Sequence, residues 1–355
     1  MVSPLNWGLG HATRCVPVIK GLLKRDIDVV IGADNAAMAL LESLFPDIPS
    51  ICIPGYEIQY PENGRMGIHI MRSLPGILAG IGNEHRQLDQ LIREHGFEAV
   101  ISDNRFGLRQ RSVPRIYITH QVMIKAPDNM PFLEPVLLKL HRNYIRKFDT
   151  CWIPDFPGDY NLSGDLGHKY TTGIKTRFIG PLSRFELDDG NGFSNGMMLD
   201  LLVIISGPEP QRSVFEKQVL DQLILLDIEA VVVRGKPEEK DVFYLNKNVK
   251  VYPHLESDKL KNYILNSKCI LCRPGYSSIM DLHSLKRKAF FIPTPGQTEQ
   301  EYLAKHLSRQ GFNYTHQNIF DIKEIIKKNT RQDWEHDIDK ENLLGQALDD
   351  LINNI

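Results

Sequence analysis

The residues best suited to chemistry follow the apolar run Cys269–Cys272. After this run, a turn of small residues leads into a predicted helix. The turn and the start of the helix contain Arg273, Gly275, Ser277, Ser278 and Asp281. Free N–H groups and the positive end of the helix dipole favour phosphate at such a turn. Asp281, one turn further in, could accept two hydrogen bonds from ribose hydroxyls. The pattern predicts a nucleotide-sugar site in which Arg273 neutralises a phosphate; the alternative is a helix N-cap without a ligand.

Two further loops are predicted to lie beside this turn. Pro293–Gln300 follows another apolar run, and its polar tip offers Thr298, Glu299 and Gln300 to sugar hydroxyls. Taken alone, that string indicates only a helix N-cap of the capping-box type. Ser206-Gly207 follows a third apolar run and could give backbone N–H groups to phosphate. An ordinary loop explains Ser206-Gly207 equally well.

A glycine-rich turn ending in histidine stands near the N-terminus, where Gly8-Leu9-Gly10-His11 opens a helix running to about Leu23. Gly8 and Gly10 allow the backbone to approach a ligand closely. The dinucleotide pattern G-x-G-x-x-G fails, because Thr13 stands where its last glycine belongs. At the carboxyl edge of a parallel sheet, His11 would lie where such folds bind ligands, and the helix dipole would keep it neutral, as a general base requires. A turn-capping or surface histidine is the alternative.

Two loops in the first half also follow strand-like runs. Asp103 and Asn104 belong to one of them, and His120 and Gln121 to the other. We expect Asp103 and His120 to point into a crevice between domains as catalytic residues, with Asn104 and Gln121 binding substrate. Each could instead be a polar residue satisfied within the protein.

The elements that must position these residues are short apolar runs alternating with helical segments. The runs are Asp28–Gly32, Ala99–Ser102, Arg115–Thr119, Thr150–Ile153, Leu201–Ser206, Ala230–Arg234, Lys250–Tyr252, Cys269–Cys272 and Ala289–Pro293. Between these runs lie segments whose apolar residues recur about every 3.6 positions, as in Val214–Leu225 and Ser277–Leu285. Continuous apolar strands between helices indicate parallel sheets covered on both faces. The predicted fold class is therefore α/β, with two Rossmann-like, doubly wound domains.

A chain of 355 residues exceeds the usual size of one domain. Turn and linker residues concentrate in Ser183–Gly196, so we predict an N-terminal domain over 1–185 and a C-terminal domain over 186–355. The segment Asn342–Asn353 is an amphipathic, acidic helix, expected to pack within the molecule and able to return to the N-terminal domain.

Composition narrows the function classes. A net charge of −2 excludes strong nonspecific nucleic-acid binding by the chain as a whole. Five scattered cysteines indicate reduced thiols and a cytoplasmic protein, and Cys269 and Cys272 are expected to be buried strand thiols rather than half of a metal site.

The sequence also predicts at most peripheral membrane contact. No stretch reaches the roughly 18 apolar residues of a membrane span, and no basic-then-apolar leader precedes the first strand, which is expected to be unusually short. Val136–Phe148 mixes apolar and basic residues. That pattern fits either a core helix with a solvated face or a helix resting on the anionic inner face of a membrane.

These motifs resemble those of two-domain glycosyltransferases of the GT-B fold, especially family 28 with its lipid II-forming N-acetylglucosaminyltransferases. The chain looks closer still to bacterial proteins known only as glycosyltransferases, over most of its length. Gly8-Leu9-Gly10-His11 is similar to the family's turn ending in His, and Thr119-His120-Gln121 to its His-Glu-Gln acceptor loop. The stretch Arg273–Asp281 is similar to its Arg-x-Gly turn, and Gln297–Gln300 to its donor-sugar loop.

The resemblance implies a role for each matching residue. His11 would act near the acceptor, Ser277 and Ser278 would bind the diphosphate, Asp281 the ribose and Gln300 the sugar. The chain departs from the family where Asp281 replaces Glu and where Thr298 stands at a usually acidic position. The loop at His120 also lacks the family's middle acid. The donor sugar and the acceptor therefore stay open.

We expect a GT-B glycosyltransferase with its active site in a cleft between the two domains. It would move a sugar from a nucleoside diphosphate sugar, of UDP type, to an unidentified acceptor, such as a lipid-linked one. Transfer by inversion without a metal or cofactor is expected, because the candidate loops carry no D-x-D motif. The alternatives are a UDP-sugar epimerase of the same fold, a noncatalytic nucleotide-sugar-binding protein and, at the level of the fold alone, a nicotinamide oxidoreductase.

Overall fold

A computed structural model describes residues 1–6, 8–55, 66–126, 130–185, 198–328, 333–334 and 342–355. The chain forms two compact units. Among the described residues, the N-terminal unit holds those up to Arg184 together with the C-terminal helix, and the C-terminal unit holds those from Phe185 to Trp334. Most of the predicted linker, positions 186–196, lies outside the described residues.

The strands of the N-terminal unit are β1 (Val2–Pro4), β2 (Ile31–Ala33), β3 (Ser50–Cys52), β4 (Val100–Asp103), β5 (Arg115–Ile118), β6 (Thr150–Ile153) and β7 (Lys175–Phe178). Those of the C-terminal unit are β8 (Leu199–Ile204), β9 (Ala230–Val233), β10 (Phe243–Tyr244), β11 (Val249–Tyr252), β12 (Ser267–Cys272), β13 (Phe290–Phe291) and β14 (Asn313–Tyr314). The helices are α1 (Leu9–Leu23), α2 (Asn35–Leu44), α3 (Met66–His95), α4 (Glu134–Ile145), α5 (Asp165–His168), α6 (Gln211–Leu223), α7 (Ser257–Leu265), α8 (Tyr276–Ser284), α9 (Thr298–Ser308), α10 (Ile322–Lys328) and α11 (Leu343–Ile352). A 3-10 turn, Pro131–Leu133, precedes α4.

The N-terminal unit is built on a parallel sheet with the strand order β3-β2-β1-β4-β5-β6-β7. β4 is buried along its whole length, as a strand covered on both faces must be. The chain order reverses between β1 and β4, and open α/β sheets bind ligands at the carboxyl edge of such a reversal.

The C-terminal unit repeats this architecture with the order β10-β11-β9-β8-β12-β13-β14. Its pairings are parallel except for the hairpin of β10 and β11. Here the reversal lies between β8 and β12. The core beneath the sheet includes Leu201, Val203, Phe215 and Leu271, all fully buried. Burying each such side chain stabilises the unit by roughly 1.5–3 kcal/mol.

The predicted α/β class with two Rossmann-like units is confirmed, and all the predicted strand runs overlap a strand. Cys269 and Cys272 are buried in β12, as expected, and burial raises the pKa of each thiol to about 12.

The C-terminal helix α11 packs on the N-terminal unit. Nε of Arg25 lies 2.6 Å from Oδ1 of Asp349, and Arg177 pairs with Asp350. The apolar face of α11 buries Leu348, whose side chain lies against the backbone of Gly21 in α1. The last residues therefore complete the N-terminal unit.

Candidate active site

The turn between β1 and α1 presents His11 at the carboxyl edge of the N-terminal sheet. Gly8 precedes α1 with a φ of +88°, a conformation that side chains rarely adopt, and the space that its Cβ would fill is open. Gly10 already belongs to the first turn of α1, so Gly8 is the one of the two glycines that lies in the bend. His11 follows on that first turn, with its side chain 14% exposed.

Asp103 lies opposite this turn, at the end of β4. β1 and β4 are paired in register, with Pro4 facing Asp103. This pairing brings the two loops of the reversal together, and Nδ1 of His11 lies 2.9 Å from Oδ1 of Asp103. The Asp103 side chain is fully buried. The structure thus places these two predicted residues in one hydrogen-bonded pair.

Arg14 joins the pair to His120. Its Nε donates to Oδ2 of Asp103 and its Nη2 to Oδ1, while Nη1 lies 3.2 Å from Nδ1 of His120. Arg14 is only 2% exposed. The three predicted catalytic residues therefore surround one buried guanidinium. Sequence reasoning missed Arg14, although it lies three residues after His11, on the same face of a helix.

The charges of this cluster set its protonation. Burial alone would raise the pKa of Asp103, but the guanidinium of Arg14 and the ring of His11 hold it well below its ordinary value. Burial and Arg14 lower the pKa of His11 from 6.5, and Asp103 opposes them. At neutral pH Asp103 is a carboxylate and His11 an unprotonated imidazole, which are the states that general-base catalysis needs.

The predicted substrate-binding neighbours have different surroundings. Asn104 adopts a φ of +59°, and its Oδ1 accepts a hydrogen bond of 2.8 Å from the hydroxyl of Tyr117. Gln121 is half-buried, and its backbone N–H donates to Oγ1 of Thr119. Both residues are half-buried, and the side chain of Asn104 is held by Tyr117 of β5.

In the C-terminal unit, the loops after β8 and β12 lie side by side. Cys272 faces Ile204 in the register of the two strands, so Ser206-Gly207 and the turn before α8 share one carboxyl edge. Gly207 has a φ of +108°, which favours glycine at this bend. The predicted nucleotide-binding elements therefore meet at the reversal of this sheet.

Helix α8 presents its polar residues along one side. Tyr276, Ile279 and Met280 are buried, whereas Ser277, Ser278 and Asp281 are half-buried. The helix begins after Gly275, which has no side chain to cap its first N–H groups. These N–H groups, two hydroxyls and a carboxylate are the donors and acceptors that a nucleoside diphosphate requires.

Arg273 does not occupy the place that the sequence predicts for it. Its side chain is fully buried, and its Nη1 donates to the carbonyls of Ile292 and Pro293 at 2.8 and 3.0 Å. Nη2 donates to Oε1 of Gln317 at 2.6 Å, and the guanidinium lies 4.0 Å from the ring centre of Phe215. Burial lowers the pKa of Arg273 to about 9. The guanidinium therefore anchors the loop after β13 rather than facing a phosphate.

That loop is also fastened from its other end. Oε1 of Gln300 accepts a hydrogen bond of 2.9 Å from the backbone of Thr294, and Oε1 of Glu301 accepts one of 3.1 Å from Gly296. Gln300 is buried, so the loop fixes at least the oxygen of the side chain that the sequence assigns to a sugar. Thr298 and Glu299 are half-buried at the start of α9 and stand nearer the surface.

The C-terminal unit matches the model of a known protein family. Residues 211–335 match the glycosyltransferase family 28 C-terminal domain. An uncharacterized glycosyltransferase of Methanosarcina acetivorans is 23% identical over 334 residues, which cover 88% of this chain and 84% of the relative. The chain is a glycosyltransferase of the GT-B fold.

Solved structures share the fold of this glycosyltransferase at low identity. The glycotransferase of kitacinnamycin is 13% identical with a TM-score of 0.64, covering 99% of this chain and 93% of that one. MurG of Acinetobacter baumannii is 15% identical with a TM-score of 0.53, covering 100% and 99%. UGT89C1 of Arabidopsis thaliana, solved with UDP-L-rhamnose, is 11% identical with a TM-score of 0.57, covering 99% and 93%.

Other features of the glycosyltransferase lie away from the carboxyl edges of its two sheets. A cavity of about 430 Å³ opens at the amino ends of β5, β6 and β7 against α11, at the edge opposite His11. Of the two D-x-D triplets in the sequence, Asp26-Ile27-Asp28 precedes β2 at that same opposite edge, and the one at 337–339 lies outside the described residues. Within the described part of the chain, no group of His, Cys, Asp and Glu side chains forms a metal site, and no helix could span a membrane.

Proposed function

We propose that this glycosyltransferase moves a sugar from a nucleoside diphosphate sugar, of UDP type, to a hydroxyl group of its acceptor by one inverting displacement. The observation that carries the proposal is the His11–Asp103 contact at the reversal of the N-terminal sheet. A neutral imidazole held by a carboxylate through Nδ1 has Nε2 available as a base. No described residue forms a hydrogen bond to Nε2 of His11.

In the proposed reaction, Nε2 of His11 takes the proton of the acceptor hydroxyl as its oxygen attacks the anomeric carbon of the sugar. The bond from that carbon to the diphosphate oxygen breaks, and the nucleoside diphosphate leaves with the electron pair. Attack opposite to the leaving group inverts the anomeric centre. Asp103 stabilises the imidazolium that forms, and the proton then passes to solvent.

The donor is proposed to bind the C-terminal unit. The first N–H groups of α8 with Ser277 and Ser278 would hold the diphosphate, and Asp281 the ribose. Their half-buried positions along one side of the helix support this assignment. Thr298 and Glu299 would contact the sugar. That UGT89C1 was solved with UDP-L-rhamnose favours a UDP-type donor.

The acceptor is proposed to be lipid-linked and reached from an anionic membrane surface. Phe132, Val136 and Leu140 recur at four-residue spacing and are 70%, 55% and 52% exposed, so together they form an apolar stripe at the surface. Lys139 and Arg146 are exposed beside them. An apolar stripe flanked by cations suits the boundary between lipid headgroups and acyl chains.

Thermal-shift measurements with UDP, GDP, dTDP, UDP-GlcNAc, UDP-glucose and NAD test the donor class. A ligand at 100 times its Kd adds about 2.7 kcal/mol to the free energy of unfolding. We expect a uridine compound to raise the Tm of the wild type, and Asp281→Ala to abolish the shift. Asp200→Ala is the control, because Asp200 pairs with Lys268 at the opposite edge of the same sheet. A shift with NAD alone, or with no nucleotide, would overturn the proposed donor.

A further inference from the structure

The guanidinium of Arg14 lies in the middle of the cluster that supplies the proposed base. It donates two hydrogen bonds to the carboxylate of Asp103, and its Nη2 also lies 2.9 Å from Nδ1 of His11. Such a fork-to-carboxylate pair is more directional than a single hydrogen bond. Arg14 therefore fixes the position of Asp103 and, through it, the ring of His11.

Nδ1 of His11 faces two groups of opposite character. Oδ1 of Asp103 can only accept a hydrogen bond while it is ionised, whereas Nη2 of Arg14 can only donate one. If Nδ1 carries the hydrogen, it donates to Asp103 and Nε2 is the basic nitrogen. If Nε2 carries the hydrogen, Nδ1 accepts from Arg14 and the base is lost. Because Arg14 keeps Asp103 ionised, the tautomer with its hydrogen on Nδ1 donates that hydrogen to a fully charged carboxylate.

The charge of Arg14 acts on the same ring. Among the described residues, the charged or titratable groups that face His11 are Arg14 from α1, Asp103 from the end of β4 and His120 from the loop after β5. Arg14 and Asp103 compensate each other in charge, so a proton on His11 adds an uncompensated positive charge beside the guanidinium, whereas a neutral His11 adds none. Arg14 therefore disfavours a proton on His11 before the reaction begins.

We propose that Arg14 is a positioning residue that holds His11 as its Nδ1–H tautomer, with Nε2 unprotonated and ready to accept a proton. The role in turnover rests on the proposed function, but the state of the imidazole is observable without any substrate. Arg14 touches neither donor nor acceptor in this assignment. It acts on the reaction only through Asp103 and His11.

The test is NMR of the protein labelled with ¹⁵N-histidine, recorded between pH 4 and 9. The imidazole nitrogen shifts report both the tautomer and the titration midpoint, and the loss of one set of signals in His11→Gln assigns His11. Arg14→Met removes the guanidinium, and Arg14→Lys keeps the charge but not the fork. Arg115→Met is the matched control, because Arg115 makes the same two-point contact with Asp149 at the opposite edge of this sheet.

We expect the Nδ1–H tautomer and a midpoint below 6.5 in the wild type and in Arg115→Met. Arg14→Met should raise the midpoint and mix the tautomers, and Arg14→Lys should fall between. If Arg14→Met does not fold, the test is decided by the titration midpoint of Arg14→Lys and by the tautomer of the wild type. A wild-type Nε2–H tautomer, or a midpoint unmoved in both Arg14 variants, would overturn the proposal. Failure of nucleotide sugars to bind would overturn the proposed donor and leave this result standing.

Discussion

Nδ1 of His11 and Oδ1 of Asp103 lie 2.9 Å apart although 92 residues separate them in the chain. The contact exists because β1 and β4 are neighbours in the sheet, so their carboxyl ends bring two distant loops together. A reversal in strand order creates a ligand-binding crevice in open α/β sheets. In this glycosyltransferase it also pairs an imidazole with a carboxylate at that point.

Replacing His11 with Gln should strongly slow transfer without weakening donor binding. Glutamine keeps a polar side chain but cannot take the acceptor proton, so we expect kcat to fall by about 10²- to 10⁴-fold. Release of the nucleoside diphosphate in the presence of the acceptor measures turnover, and the thermal shift with the donor measures binding. Equal loss of both would mean that His11 holds the donor rather than acting as a base.

Replacing Asp103 with Asn should damage both stability and turnover. The substitution removes the carboxylate that pairs with the buried charge of Arg14, which costs about 3–5 kcal/mol in comparable pairs. It also lets Nδ1 of His11 lose its hydrogen, and loss of the correct tautomer lowers kcat on the order of 10⁴-fold in serine-protease triads. Urea unfolding measures the first effect and product release the second. An Asp103→Asn variant with wild-type stability would contradict the buried ion pair.

Much of the architecture could be predicted because the strands are continuous apolar runs between helical segments. Such runs require helices on both faces of a parallel sheet. The same rule allowed His11, Asp103 and His120 to be grouped, since each follows a predicted strand whose carboxyl end must lie at one edge. Where a polar residue directly follows a buried parallel strand, its approximate location follows from periodicity.

The direction of a side chain could not be predicted in this way. Arg273 follows β12 and precedes a small-residue turn, which suggested a phosphate ligand, yet its guanidinium turns towards the end of β13 and the ring of Phe215. The sequence did not indicate a role for Arg14, because a cation on a helix usually faces solvent. Both outcomes depend on which neighbour the fold places beside the residue, and no single segment contains that information.

A second buried histidine predicts how stability depends on pH. His141 on α4 is 5% exposed, its Nδ1 lies 3.3 Å from the carbonyl oxygen of Val122, and burial lowers its pKa to about 4. Below about pH 6.5 this histidine binds a proton in the unfolded chain, whereas in the folded protein it stays neutral until about pH 4. The free energy of unfolding should therefore fall between these values, by about 3 kcal/mol from this residue. The lowered pKa of His11 adds in the same direction.

Urea unfolding between pH 4 and 8 checks this dependence. His141→Phe keeps a ring against Phe106 and Tyr117 but removes the titrating group, so its unfolding free energy should fall less in acid. His95→Phe, at an exposed position, is the control. Equal acid sensitivity of the wild type and His141→Phe would show that other groups govern the loss.

The exposed stripe of Phe132, Val136 and Leu140 should bind anionic vesicles. Insertion of three apolar side chains is favoured by the hydrophobic effect, and nearby cations such as Lys139 attract anionic headgroups. We expect the wild type to co-sediment with phosphatidylglycerol vesicles and to bind less at high salt. Replacing the three residues of the stripe with serine should remove most binding, since each lost side chain weakens insertion.

The control for this effect is a pair of exposed apolar residues in the other unit. Ile224 and Leu225 are 54% and 83% exposed just after α6, so replacing both with serine removes comparable apolar surface at a different place. If membrane binding depends on the stripe, this control should sediment like the wild type. Equal loss of binding in both variants would indicate nonspecific adsorption through exposed apolar residues. If the wild type does not bind vesicles, the acceptor must be sought among soluble molecules.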